Sequence, residues 1–155
     1  MNFARLSLVA AAFAAGALLA SPAAAQRHRG NDTPANFSIE EARAQADFAS
    51  ATEGVTFYFG NQGHPGIAQR FERNAMTSQR SRSSSANNPG PGCHRAFLNA
   101  LVSLRNHALA QGGNAVVNVR SNWNHVEFSS ATEYQCVRGR MMSGVALKGD
   151  IVRLR

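Results

Sequence analysis

One strongly amphipathic helix is the sequence feature that most constrains how this 155-residue chain can fold. The stretch CHRAFLNALVSLRNHALAQ begins at Cys93, and its apolar residues recur at steps of three and four. The residues of this stripe are Phe97, Ala100, Leu101, Leu104 and Ala108. A helix with a single apolar stripe has to bury it against another element, and the flanking segments alternate as strands do. The sequence therefore predicts one main helix packed on a sheet.

Two glycines, Gly112 and Gly113, separate this helix from the valine-rich run NAVVNV. Glycine directly after a helix is typical of a C-cap, because it reaches the left-handed conformation without strain. Phosphate-binding loops have the opposite order, strand then glycines then helix, since the helix N-terminus supplies the amide N–H groups and the positive end of the dipole. The order found here predicts a structural cap and hinge and argues against a nucleotide site.

Weaker patterns complete an α+β fold. Ser38 and Glu41 have capping-box spacing, which predicts a short N-terminal helix over 39–51. Alternation predicts strands in GVTFYFG, IAQRFER, NAVVNV, ATEYQCV and MMSGVALKGDIVRL, with the first two joined as a hairpin. The segment 73–92 is rich in Ser, Asn, Gly and Pro, so we expect a long loop there. A single domain over 38–155 is expected, with the main helix on a mostly antiparallel sheet.

The N-terminus has the pattern of a secretory signal. Arg5 is followed by an uncharged apolar run, and small residues at Ala23 and Ala25 fit the cleavage rule. The apolar run is too short and too rich in alanine to indicate a stable membrane span. We therefore expect a signal peptide at 1–25, cleavage near Ala25, a disordered polar tail at 26–37, and a periplasmic or secreted mature protein.

The mature chain is expected to be basic. Removal of the signal takes away one of the 16 basic residues, which leaves 15 against nine acidic residues, a net charge of +6. Such a surplus attracts nucleic acid, anionic lipid or acidic polymers. Nucleic-acid binding proteins cluster this charge and interleave it with aromatic residues, a pattern that the sequence lacks. Nucleic acid is therefore not the expected partner.

Two cysteines, Cys93 and Cys136, leave two chemical interpretations open. In an oxidising compartment an even pair is most simply a disulfide. Alternatively Cys93, at the start of the main helix, is a reactive thiol, because a helix N-terminus favours the thiolate. His94 next to it is a candidate base, although adjacent helical positions do not face each other.

Several blocks of the sequence resemble a known family. The runs GVTFYFGNQGHPG, AFLNALVSLRNHALAQGGNAVVNVRSNW and EFSSATEYQCVRGRMMSGVALKGDIVRL are similar to small exported bacterial proteins whose names often borrow the words "excinuclease ATPase subunit". More remotely, the order helix–GGNAVV–strand resembles the heavy-metal-binding domains of small cytosolic oligomers and the outer-membrane sensor lipoprotein of the Rcs envelope-stress system. The resemblance implies an α+β fold and an envelope location, and it carries no catalytic residues.

The chain departs from these families in ways that bear on function. No G-x-x-x-x-G-K-[ST] loop and no zinc-ligand cysteine pairs are present, so we do not expect a genuine excinuclease ATPase. The chain also lacks a lipidation cysteine near the expected cut, and its single cysteine pair allows fewer disulfides than the Rcs sensor has.

The first functional interpretation is a non-enzymatic envelope protein that binds another protein or a cell-wall component. The aromatic residues Trp123, Tyr58 and Tyr134 are candidate anchors, because such residues dominate interface energetics. Arg80 and Arg82 in the expected loop are candidate polar contacts. Open sheet edges also allow oligomers to form.

The second interpretation is a periplasmic metal-binding protein. Cleavage after Ala25 exposes Gln26, Arg27 and His28 as the new N-terminus. A free amine, two deprotonated backbone amides and a third-position imidazole form a planar four-nitrogen set, which suits Cu(II) or Ni(II). No other cofactor is expected.

The third interpretation is a small enzyme with a catalytic Cys93 or with Glu127 and Glu133 as an acid–base pair. No G-x-S-x-G elbow is present for a serine hydrolase. The carboxylates are equally typical of solvent-facing strand residues, and the expectation is that the protein is not an enzyme.

Overall fold

The computed structural model describes residues 33–82, 88–139 and 141–155. Within these ranges the chain forms three helices and seven strands, in an order that begins and ends with a strand. The elements are β1 Ala35–Ser38, α1 Ile39–Arg43, α2 Phe48–Thr52, β2 Thr56–Phe59, β3 Ile67–Arg82, α3 Gly90–Ala110, β4 Ala115–Trp123, β5 Val126–Phe128, β6 Glu133–Arg138 and β7 Met142–Leu154. The expected signal peptide at 1–25 and the tail up to residue 32 lie outside the described residues.

Strand β7 organises the sheet. It pairs with β3 along one edge and with β6 and then β4 along the other, in each case antiparallel. β1 extends the sheet beyond β6, while β2 and β5 pair with β4. Only the β2–β4 pairing, among the described strands, is parallel. The expectation of a mixed fold dominated by an antiparallel sheet is therefore confirmed, with more sheet than helix.

Helix α3 packs its apolar stripe on one face of this sheet. Phe97, Leu101 and Leu104 are almost completely buried, as are Leu147 and Ile151 of β7. Burial of each such side chain contributes about 1.5–3 kcal/mol relative to exposure. Since the stripe and the strand residues that face it are all apolar, this packing accounts for the main core.

The glycine pair ends α3 as a Schellman motif. Gly112 adopts a φ of +80°, its N–H donates to the carbonyl of Leu109 at 3.0 Å, and the N–H of Gly113 donates to that of Ala108 at 2.8 Å. A Cβ on Gly113 would lie 3.0 Å from Cγ2 of Ile151, so β7 approaches the backbone closely there. Gly112 and Gly113 therefore cap α3 and allow β7 to pack closely against the end of the helix.

The prediction of a loop over 73–92 is wrong for residues 73–82, which belong to a strand, and for residues 90–92, which belong to a helix. Strand β3 continues to Arg82, α3 begins at Gly90, and residues 83–87 lie outside the described residues. From Ala75 to Arg82 the register with β7 is continuous. A polar sequence forms a strand here because a long neighbouring strand supplies the backbone partners, which overrides local propensity.

The hairpin expected between β2 and β3 is also wrong. β2 pairs with β4, and β3 pairs with β7. The β2–β4 pairing brings Phe59 under α3, where its ring lies 5.9 Å from that of Phe97. Burial of this aromatic residue in the main core favours the non-local pairing over a local turn.

Two corrections concern the start of the domain. The helix expected over 39–51 is interrupted, with α1 ending at Arg43 and α2 beginning at Phe48. Ser38 caps α1 as expected, since its hydroxyl accepts from the N–H of Glu41 at 3.2 Å. The tail expected over 26–37 already pairs as β1 from Ala35, because the register with β6 satisfies its backbone groups.

Candidate functional site

The sheet has a second face that no helix of the described part of the chain covers; we call it the open face. Side chains alternate along a strand, so residues of β7 between the buried Val145, Leu147 and Ile151 point away from α3. On β3 the same alternation leaves one set exposed and the other half-buried. The exposed set comprises Met76, Ser78, Arg80 and Arg82.

Trp123 lies at the centre of one half of the open face. Its ring carbons Cζ3 and Cη2 lie 3.0 and 3.1 Å from the position that a Cβ on Gly144 would occupy, so this glycine makes room for the ring. Two grooves of about 390 and 420 Å³ flank the ring, and Arg80 lines both of them. We define the Trp123 patch as Met76, Arg80, Arg82, Trp123 and Met142.

The methionines of the Trp123 patch are unusually accessible. Met76 is 61% exposed and Met142 is 41% exposed, although both lie on strands. The amide of Asn122 lies 3.5 Å from the sulfur of Met76 and is itself buried. Sequence reasoning missed these two methionines; the alternation from residue 75 to residue 82 would have found Met76, and Met142 comes beside it only through the pairing of β3 with β7.

The indole N–H of Trp123 is buried and has no hydrogen-bond acceptor among the described residues. Buried tryptophans normally find a partner for this group. Leaving such a donor unpaired costs about 1–3 kcal/mol. The indole N–H of Trp123 is therefore a donor available to an acceptor on a bound molecule.

Salt bridges pair the charged side chains in the middle of the open face. Glu127 binds Arg120, with Nε and Oε2 2.6 Å apart, and also binds Lys148. Hydrogen bonds from Lys148 and then Arg120 lower the pKa of the Glu127 carboxyl. Farther along, Arg70 pairs with Asp150. In these contacts three cations share two carboxylates, which leaves one positive charge in excess.

Arg80 and Arg82 are exposed and, within the described ranges, have no acidic partner. No acidic residue belongs to the Trp123 patch. Arg80 and Arg82 therefore place positive charge next to the exposed methionines and the indole ring.

The structure brings some of the candidate binding residues together and separates others. Trp123 and Arg80 adjoin, and Arg82 follows on the same face of β3. Tyr58 packs at the far end of the open face on a small apolar cluster with Val117 and Val152. These residues therefore do not form one continuous anchor site.

Tyr134 is wrong as a surface candidate because it is only 1% exposed. Its ring stacks on that of Phe97 at a centroid distance of 4.0 Å, beneath α3. Its position on β6 follows the core-facing alternation, so the aromatic residue belongs to the core.

Cys93 and Cys136 form a disulfide that ties the first turn of α3 to β6. The expected disulfide is confirmed, and Cys93 is therefore not the free thiol that the enzyme interpretation requires. Both cysteines are buried. The bridge fixes the helix on the sheet.

His94 forms a buried pair with Tyr134, with Nδ1 and the hydroxyl oxygen 3.0 Å apart. Burial lowers the pKa of His94, and the nearby Glu41 carboxylate offsets only part of this. Burial also raises the pKa of Tyr134. Burial therefore favours a neutral imidazole and a protonated hydroxyl, and the two groups share one hydrogen bond.

The remaining candidates for chemistry have separate partners. Glu133 accepts from the amide of Asn36 at 3.2 Å, whereas Glu127 belongs to the salt bridges of the open face. His107 lies 3.1 Å from Glu72. Across residues 33–82, 88–139 and 141–155, no group of three or more His, Cys, Asp or Glu residues is arranged to hold a metal ion.

Two further sequence-based predictions concern the copper ligands at the N-terminus and the absence of a membrane span. Gln26, Arg27 and His28, the proposed copper ligands, lie outside the described residues. Among the helices described, none is both long and apolar enough to cross a bilayer.

Comparison of the chain with protein-family models, with curated proteins and with solved structures finds no match. The resemblance to the excinuclease-named family accordingly stays a prediction.

Proposed function

We propose that the protein is an exported, non-enzymatic envelope module that binds a partner protein through the Trp123 patch. The observation that carries this proposal is the buried, unpaired indole N–H of Trp123 on a face that no described helix covers. A partner that supplies an acceptor, or that draws the ring outward, recovers the cost of the unpaired donor.

The composition of the patch supports a protein partner. Aromatic residues, methionine and arginine are enriched at the cores of protein interfaces, whereas lysine and acidic residues are depleted. Trp123, Met76, Met142, Arg80 and Arg82 belong to the enriched classes, and polar Ser78 and Asn124 line the same grooves. Methionine adapts its shape to the surface that it meets, which favours contact with an irregular protein surface.

Paired strands and a disulfide hold the scaffold beneath the patch, which favours binding. Gly144, which supports the indole ring, belongs to β7, and β7 is held on both edges by hydrogen-bonded strands. The disulfide fixes α3 on the other side of the sheet. Little conformational entropy is then lost when the patch is covered. The disulfide also fits export, because oxidising compartments favour it.

Site-specific photo-crosslinking in the producing cells tests the proposal. A photoreactive amino acid replaces exposed Ser78 beside the patch, and a matched variant carries it at exposed Asn106 on α3. We expect a discrete adduct with an envelope protein from position 78 and none of that mass from position 106. In the Trp123→Ala background the adduct should fall at least tenfold.

A thermal melt of the Trp123→Ala variant controls for folding, since removal of a half-buried ring also loses packing. The proposal is overturned if position 78 gives no adduct, if position 106 gives the same adduct, or if a folded Trp123→Ala variant crosslinks as well as the parent.

A further inference from the structure

Strand β3 presents the longest unpaired sheet edge in the part of the chain that the structure describes. Its 16 residues pair with β7 along one edge, and no described strand pairs with the other. The other strands that pair along only one edge, β1, β2 and β5, are three or four residues long. An unpaired edge offers a row of free N–H and C=O groups to an incoming chain.

The two halves of this edge differ. All three register shifts of the β3–β7 pairing lie between Ile67 and Ala75, and Asn74 adopts a φ of +57°. Bulges twist an edge away from incoming strands, so the first half is protected. From Ala75 to Arg82 the eight residues pair without interruption and contain no proline. This regular half adjoins the Trp123 patch.

The charge of the residues on this edge determines which kind of segment can pair with it. Arg80 and Arg82 project from it on the open face without acidic partners among the described residues. A second copy of this protein would bring two more arginines to the edge, and the registers that set them opposite Arg80 and Arg82 are destabilised by like charge. An acidic strand would neutralise both cations. The arginines thus admit an acidic partner and disfavour self-pairing.

We propose that residues 75–82 of β3 accept an extended acidic segment of the partner protein as an added antiparallel strand. This inference rests on the proposed binding function and names the partner's chemistry. Side chains on one face of a strand recur every second residue. From its N-terminus, the partner segment therefore has the pattern acidic–x–acidic–x–any–x–apolar. The four named positions lie opposite Arg82, Arg80, Ser78 and Met76, in that order.

The probe for this proposal is the peptide acetyl-ETETTTL-amide. Trp123 is the only tryptophan of the chain, so its fluorescence reports occupancy of the adjoining patch. Amide hydrogen exchange of residues 75–82 reports pairing of the edge directly. We expect saturable binding, with alternate amides of this segment exchanging at least tenfold more slowly in the complex, because only every second N–H points to the open edge.

Three controls separate charge, backbone pairing and folding. The peptide acetyl-KTKTTTL-amide should bind at least tenfold more weakly. A copy of the acidic peptide with N-methyl groups on alternate amides, which removes its edge donors, should bind at least tenfold more weakly too. The Arg80→Glu/Arg82→Glu variant should prefer the lysine peptide, and the Arg80→Gln/Arg82→Gln variant shows whether loss of charge alone disturbs the fold.

Each alternative outcome overturns the inference in a recognisable way. Fluorescence changes without slowed exchange, and equal binding of the N-methylated peptide, mean that the patch binds but β3 does not pair. A peptide-free dimer that protects residues 75–82 means that the occupant is a second copy. Absence of binding by the acidic peptide rejects the edge proposal, while the crosslinking result independently decides the binding function.

Discussion

Reduction of the Cys93–Cys136 disulfide should lower the free energy of unfolding by about 4 kcal/mol, because the bridge closes a loop across a sequence separation of 43 and limits the entropy of the unfolded chain. A domain of this size has a total stability of only about 5–15 kcal/mol. The reduced protein is therefore expected to keep a stability of about 1–11 kcal/mol.

Urea titration of the same protein with and without reductant measures this difference, with Trp123 fluorescence as the signal. With an m-value of about 2 kcal/mol/M, the midpoint should fall by about 2 M on reduction. Comparing one protein in two redox states keeps the packing of the buried cysteines nearly unchanged.

The Cys93→Ala/Cys136→Ala variant is the control. It should unfold near the reduced parent, and reductant should leave its midpoint unchanged. A difference between oxidised and reduced parent below about 1 kcal/mol would refute the reasoning, since it would mean that the reduced unfolded chain already holds the two segments together.

Three further predictions follow from other parts of the structure. Gly113→Ala should destabilise the fold by about 1–3 kcal/mol in thermal melts, because its Cβ would crowd β7, whereas Gly63→Ala, with nothing within 4 Å, should change stability by less than about 0.5 kcal/mol. Burial lowers the pKa of His94, so below about pH 6.5 the unfolded chain binds more protons than the folded chain. The free energy of unfolding should therefore fall as the pH falls through the folded pKa. The His94→Gln variant should weaken this dependence in thermal melts between pH 7 and 5. Mature protein that starts at Gln26 should bind one Cu(II) with a visible absorption band typical of planar nitrogen ligation, and His28→Ala should abolish the band.

The sequence was most informative where structure depends on neighbours along the chain. Helix α3 and its glycine cap follow from the spacing of apolar residues and from the conformational freedom of Gly112. The hydroxyl of Ser38 caps α1 as its spacing with Glu41 predicts. Each of these features is decided within a few residues, so local patterns suffice.

Strand partners are decided at long range and were not predictable in the same way. β2 pairs with β4 across more than fifty residues because this places Phe59 beneath α3. The alternation in GVTFYFG indicates a strand and says nothing about its neighbour. The open face could not be predicted from the sequence for the same reason, because its residues come from three strands that are neighbours only in the folded sheet.

In strand β3 the local sequence favours a loop, whereas the pairing with β7 imposes a strand, and this conflict falls at the site of the proposed binding. Between Ala75 and Arg82 its serines and arginines are poor strand formers, and β7 holds them in register on one edge only. If stability alone had shaped this segment, apolar or β-branched residues at Ser78 and Arg80 would pack better on the open face. They would also make the edge a site of self-association. A polar, cationic edge beside an unsatisfied Trp123 sacrifices stability, and such departures from local rules concentrate at sites of function. The sequence that looked most like a loop is therefore the one that we expect to meet the partner.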